Sequence, residues 1–117
     1  MLNFENFDLE VIEKKATAAV IFTADWCKPS RLQREIVDEL KQEFADKALI
    51  ELIDVDQDEK LAERFNARTL PTTVLLAQGE TIEILPGYQT LDFLQSYLRH
   101  IIKQVEEAKA EEKQTEA

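Results

Sequence analysis

Cysteine, histidine and glycine are all scarce in this sequence. A single cysteine, Cys27, cannot close a disulfide within its own chain, which argues against a disulfide-framed secreted domain and favours a reducing compartment. One histidine, His100, beside one cysteine argues against a zinc site or a Cys–His catalytic pair, and we interpret it as a surface residue of a helix. Two glycines in total are too few to build a glycine-rich phosphate loop. We expect no metal and no cofactor.

Basic charge and long apolar runs are also lacking. The net charge of −10 opposes the basic field that binding to nucleic acid requires. The longest apolar stretches, such as residues 74–77, are too short to cross a bilayer. Residues 1–10 lack the basic start and apolar run of a signal peptide. We therefore expect a cytoplasmic protein, monomeric, with neither nucleic acid nor membrane as a partner.

Helical and strand patterns alternate along the chain. Apolar residues spaced every fourth position from Leu32 to Phe44 predict a long amphipathic helix beginning near Arg31. Shorter helices are predicted at 7–15 and 59–65, and a last helix begins after Thr90 as its cap. Strands are predicted at 17–23, 49–55, 72–77 and 81–85, with a stub of edge strand at 2–4.

This order predicts an α/β fold, with a central mixed sheet of four to five strands flanked by about four helices. The length of 117 residues accommodates one compact domain. We place that domain at residues 1–107. Residues 108–117 are mostly Ala, Glu, Lys and Gln, and we predict that they form a frayed, charged tail.

The stretch Trp26-Cys27-Lys28-Pro29-Ser30 lies between a predicted buried strand and the long helix. The first turn of a helix offers unpaired N–H groups and the positive end of its dipole, and both favour a thiolate over a thiol. Proline suits that turn because its missing N–H costs nothing there. Lys28, Arg31 and Arg34 are expected to add positive potential near the sulfur. The sequence therefore predicts a reactive Cys27, in preference to a cysteine that serves only as a small buried hydrophobe.

Residues 22–30 resemble the active-site stretch of thioredoxins, whose usual form is Trp-Cys-Gly-Pro-Cys. Residues 68–72, Arg-Thr-Leu-Pro-Thr, look like the segment that carries the family's cis-proline, and Gly79 and Gly87 follow at the family's spacing. Residues 54–57 resemble the end of the central strand. The chain is thus similar to the thioredoxin family from about Phe7 to Ile102, which implies the thioredoxin fold.

The resemblance also implies roles for individual residues. Cys27 would be the attacking thiol, and Pro71 would lie opposite it after a cis bond, where the backbone pairs with an extended substrate segment. The implied substrates are disulfide- or thiol-containing proteins, with thioredoxin reductase or glutathione as further partners. The residues expected to contact the substrate are Trp26, Lys28, Pro29, Leu70, Pro71 and Gly87. Among them, Trp26, Leu70 and Gly87 would form an apolar rim around the sulfur.

Ser30 departs from the family, since it stands where thioredoxins carry the second, resolving cysteine. A hydroxyl cannot resolve a mixed disulfide, although it can donate a hydrogen bond to the Cys27 thiolate, so turnover would need an external thiol. The sequence leaves open whether this serine is natural or a replacement made to trap mixed disulfides. Ile21 and Leu52 occupy the positions of a buried Asp–Lys pair common in the family, so that proton relay is lacking. Glu35 stands in place of a helix-kinking proline.

Three functions are therefore weighed for Cys27. The first is thiol–disulfide exchange, with dithiol chemistry if the native form has a cysteine at position 30, or with Cys27 acting alone as the protein is written. The second is a non-catalytic module that binds peptides in the cis-proline groove. The third is a redox sensor that becomes glutathionylated or forms a Cys27-linked dimer.

Overall fold

A computed structural model describes residues 2–115. Within them a mixed sheet has the strand order β2-β1-β3-β4, formed by Ala18–Thr23 (β1), Leu49–Asp54 (β2), Thr72–Ala77 (β3) and Glu80–Pro86 (β4). Strands β1 and β2 are parallel, whereas β1–β3 and β3–β4 are antiparallel. Every residue of β1 and β3 is buried, because both faces of these central strands are covered.

The helices cover both faces of the sheet. Helices α1 (Lys28–Phe44) and α3 (Leu91–Thr115) pack on one face, over a core that includes Ile21, Leu75 and Leu98. An N-terminal helix of π type (Asp8–Glu13) and α2 (Glu59–Arg64) cover the other face. The described residues thus confirm the thioredoxin fold, with four strands and four helical segments.

Two predicted turns and caps are confirmed in detail. Gln78 and Gly79 both have positive φ, at 52° and 83°, which is the geometry of a tight two-residue hairpin turn. Thr90 Oγ1 accepts the N–H of Phe93 at 3.2 Å, so Thr90 caps α3 as expected.

Three local expectations are wrong. Residues 2–4 form no strand; instead Leu2 is buried in the core beneath the N-terminal helix. Helix α1 begins at Lys28, ahead of the predicted start, and turns Leu32 outward, leaving it 45% exposed. The buried stripe of α1 keeps the predicted Val37, Leu40 and Phe44, and it starts with Ser30 and Gln33 in place of Leu32.

Helix α3 continues through most of the predicted tail. Residues 108–115 are helical, residues 116 and 117 lie outside the described part, and fraying of the segment stays a prediction. A helix rich in Ala, Glu and Lys continues readily without packing because these residues have high helix propensity. The division into a domain at 1–107 and a tail at 108–117 stays a prediction. No helix among the described residues is long and apolar enough to cross a membrane.

Candidate active site

Cys27 lies at the junction of β1 and α1, where the predicted site was placed. It is the N-terminal cap of α1, with extended backbone (φ −104°, ψ 116°), and Pro29 lies in the first turn behind it. Its N–H donates to the carbonyl oxygen of Ala24 at 3.2 Å, which closes the turn that leads out of β1. The residue is half-buried, and it lies at the positive end of the helix.

The sulfur faces the segment that precedes Pro71. The Cys27 thiol donates to the carbonyl oxygen of Leu70 at 3.4 Å, across 43 positions of sequence. The Leu70–Pro71 peptide bond is cis, as the resemblance implied, and Pro71 is buried. The carbonyl of Pro71 in turn accepts the N–H of Gly87 at 2.7 Å. The fold therefore brings Cys27, Leu70, Pro71 and Gly87 into one connected site.

Trp26 and Lys28 flank the sulfur on the exposed side. The Trp26 ring is 68% exposed, and its Nε1 donates to the carboxylate of Asp56 at 2.9 Å. That bond ties the loop before α1 to the loop after β2. Lys28 and Pro29 are both exposed at the start of α1. A tryptophan held by its polar edge in this way leaves its apolar face in solvent.

Arg31 and Arg34, which were expected to raise the electrostatic potential at the Cys27 sulfur, instead bind groups at the end of β1 and in the loop before α1. Arg34 forms an ion pair with Asp25, and its Nε donates to Thr23 Oγ1 at 3.2 Å. Arg31 donates to the backbone carbonyl of Asp25 at 2.9 Å. Both guanidinium groups thus brace the β1–α1 loop, and the Asp25 carboxylate offsets the charge of Arg34.

Ser30 differs from expectation in its hydrogen bond. Its side chain is fully buried, and its Oγ accepts the N–H of Ala24 at 3.2 Å, whereas the Cys27 sulfur has Leu70 as its partner. The third residue of a helix directs its side chain back over the first turn, which here places the hydroxyl against the loop that leaves β1. Ser30 thus stabilises the loop beneath Cys27.

An apolar row crosses the sheet where the family's acid–base pair would lie. Ile21 in β1 is fully buried and stands directly beside Leu52 in β2 and Thr73 in β3. Thr73 Oγ1 is buried and makes no hydrogen bond to any residue of the described chain. The absence of a proton relay, expected from the sequence, agrees with this row.

Gln33 is a residue of the site region that the sequence reasoning missed. It is fully buried on α1 and forms two hydrogen bonds with the backbone of Gln89: Nε2 donates to the carbonyl oxygen at 2.9 Å, and Oε1 accepts the N–H at 2.8 Å. The signal was a polar residue on the stripe of α1 that continues through Val37, Leu40 and Phe44.

The remaining titratable residues do not gather into a metal centre. Within residues 2–115, no group of three or more His, Cys, Asp and Glu side chains is placed to hold a metal ion. His100 is exposed on α3, as interpreted from the sequence.

Comparison with known proteins agrees with this geometry. The family model for thioredoxin matches residues 1–100. Thioredoxin of Bacillus subtilis is 35% identical over 74 residues, covering 63% of this chain and 71% of that protein. Thioredoxin of Rickettsia prowazekii is 29% identical over 97 residues, covering 83% and 92%, and thioredoxin 1 of Synechococcus elongatus is 28% identical over 81 residues, covering 69% and 76%.

The chain belongs to the thioredoxin family. This membership supports a disulfide oxidoreductase class and, in general terms, thiol–disulfide exchange with thiol- or disulfide-bearing proteins.

Proposed function

We propose that this protein carries out thiol–disulfide exchange with Cys27 as its single nucleophile and holds its partners as mixed disulfides. The observation that carries the proposal is the half-buried Cys27 thiol at the start of α1, 3.4 Å from the Leu70 carbonyl oxygen beside cis Pro71. A thiolate at this position is favoured by the helix dipole, and we place an extended partner segment along the backbone that leads into Pro71.

The first step needs only Cys27. Its thiolate attacks one sulfur of the partner's disulfide, so a new S–S bond forms, the partner's S–S bond breaks, and the electron pair leaves on the second sulfur as a thiolate. The partner remains attached to Cys27 through the first sulfur. No oxidant or reductant beyond the partner's own disulfide is consumed.

Release needs a second thiolate that this chain lacks. Cys27 is its single cysteine, and the buried Ser30 hydroxyl is engaged with the Ala24 N–H. An external thiol such as glutathione therefore attacks the partner's sulfur. Cys27 leaves as a thiolate, and the external thiol carries the partner away as a new disulfide.

Partner recognition falls to the residues around the sulfur. We assign the apolar rim to Trp26, Leu70 and Gly87, with Lys28 and Pro29 beside it. The exposed Trp26 ring and the backbone of the segment ending at Pro71 support this assignment, because an extended peptide can add along that backbone. Main-chain hydrogen bonds then supply the affinity, and side-chain contacts at the rim supply the specificity, as in other cases of strand addition.

The test is capture of a disulfide substrate. Reduced protein mixed with insulin should accumulate a Cys27-linked adduct, seen by mass spectrometry and non-reducing gels, and should show little catalytic reduction with thioredoxin reductase. Cys27→Ala is the matched control and should capture nothing. A folded wild-type protein that forms no adduct would contradict the proposal.

Ser30→Cys tests the missing second step. Positions 27 and 30 share the first turn of α1, so a thiol at position 30 lies close to the mixed disulfide and benefits from a very high effective concentration. We expect this variant to reduce insulin catalytically instead of accumulating the trapped adduct, and to form an internal disulfide. If it does neither, the exchange function fails, and the groove is better described as a non-catalytic peptide-binding site.

A further inference from the structure

We infer that Gln33 is a positioning residue for the partner groove: it holds the loop that carries Gly87 against α1 and so sets the spacing between that loop and Cys27. The inference rests on the proposed function, because it concerns how a disulfide partner reaches the sulfur. Gln33 itself lies behind the groove and touches no reacting atom.

Gln33 is an amide in an otherwise apolar setting. It is fully buried, and the helix positions that follow on the same stripe are Val37, Leu40 and Phe44. An amide in such a place is costly unless its donor and acceptor are both satisfied. Here both are satisfied by one residue, through the N–H and the carbonyl of Gln89. The reciprocal pair fixes the position of the Gln89 backbone more tightly than one bond would.

The Gln89 backbone is continuous with the groove. Its side-chain amide donates to the carbonyl oxygens of Pro86 at 3.4 Å and Gly87 at 3.3 Å, which stiffens the turn between β4 and α3. Gly87, with φ of +85°, donates its N–H to the Pro71 carbonyl at 2.7 Å. The chain of contacts therefore runs from Gln33 through Gln89 and Gly87 to Pro71.

Helix α1 consequently defines both sides of the site. Cys27, on one side of the groove, caps the N-terminus of α1. Gln33, farther along the same helix, anchors the loop that carries Gly87, which forms the other side. The two walls meet where the Cys27 thiol reaches the Leu70 carbonyl. Because both sides of the groove are attached to one rigid helix, the distance between them stays constant. That distance affects the rate at which a partner that fills the groove reacts with Cys27, but not the rate for a small reagent that reaches the sulfur from solvent.

The experiment compares two rates in the same protein. Gln33→Met keeps the length of the side chain and removes both hydrogen bonds, and Gln42→Met at an exposed position of α1 is the matched control. We expect Gln33→Met to lower the rate of mixed-disulfide formation with a disulfide-bridged peptide by about tenfold, while alkylation of Cys27 by iodoacetamide changes by less than about twofold. The control should change neither rate.

Each other outcome overturns the inference. An unchanged peptide rate in a folded Gln33→Met protein means that the residue is structural only. An equal fall in both rates means that the substitution acts on the cysteine itself. A wild-type protein that is alkylated but captures no peptide overturns the proposed function, and the inference with it.

A second variant and a second readout keep the test decisive if Gln33→Met does not fold. Gln33→Leu removes both hydrogen bonds to Gln89 with a smaller apolar side chain, so the same two rates are measured with the same outcomes. Hydrogen exchange of the Gln89 amide should be slow in wild type and faster in a folded variant. Fast exchange in the wild type overturns the inference.

Discussion

Replacing Ile21 by aspartate would place a carboxyl where many thioredoxins carry one, beside strand neighbours that carry no opposite charge. Ile21 is fully buried, and its neighbours across the sheet are Leu52 and Thr73. Losing the buried isoleucine removes about 1.5–3 kcal/mol of apolar burial. An unpaired buried carboxylate adds a penalty of several kcal/mol, so we expect a total loss of about 4–6 kcal/mol near neutral pH. Small domains have only about 5–15 kcal/mol of stability, so this is a large share.

The loss should depend on pH in a defined direction. Burial raises the pKa of a carboxyl because it disfavours the charged form. Near neutral pH the unfolded chain is ionised freely while the folded chain resists ionisation, so unfolding is favoured. As the pH falls toward the raised pKa, the folded state binds the proton and the loss shrinks. The Thr73 hydroxyl, buried without a partner among the described residues, is placed on the same face and can donate to the new carboxyl.

Urea unfolding of wild type and Ile21→Asp, near pH 7.5 and near pH 5, measures both effects. Ile82→Asp is the matched control, because Ile82 is 46% exposed on the edge strand β4, and it should cost less than about 1 kcal/mol. Adding Leu52→Lys to Ile21→Asp should recover part of the loss by supplying an opposite charge. A loss for Ile21→Asp as small as that of the control, or one that does not change with pH, would refute the reasoning.

Three further outcomes follow from local geometry. Gly79→Ala should destabilise the protein by about 1–3 kcal/mol, because φ is +83° and the new Cβ would lie 3.0 Å from a backbone oxygen of the N-terminal helix. Gly87→Ala has a similar φ but open space around the new Cβ, so thermal unfolding should show a smaller loss of stability. The hydrogen bond that Tyr97 donates to Glu83, together with burial and the adjacent charge, raises the pKa of the Tyr97 phenol above 10.0. The difference in unfolding free energy between wild type and Tyr97→Phe, measured by urea titration, should therefore persist below pH 10.0 and vanish as the pH rises through the raised pKa. Deleting residues 108–117 should leave unfolding and Cys27 alkylation unchanged, since residues 109–112 are exposed; a drop of several degrees in Tm would show that the segment is docked.

The sequence alone determined the order of elements and the place of the single cysteine. Amphipathic helices have a periodicity that is visible without any tertiary information. The central strand β1 was predicted from its continuous β-branched and apolar run, and the hairpin between β3 and β4 from the turn residues Gln78-Gly79-Glu80. The place of Cys27 at the start of α1 follows from its position between a strand and a helix. The lack of a resolving thiol follows from composition.

Tertiary structure decided the direction and the partners of the polar side chains. The turn of Leu32 to solvent, the ion pair of Arg34 with Asp25 and the bond of Ser30 to the Ala24 N–H depend on how α1 rotates against the sheet. The pairing of Gln33 with Gln89 joins positions 56 residues apart, and no local pattern specifies such a contact. Periodicity records which face of a helix is apolar, but a hydrogen bond needs two groups within about 3 Å at a suitable angle, and that condition is met only once the chain has folded.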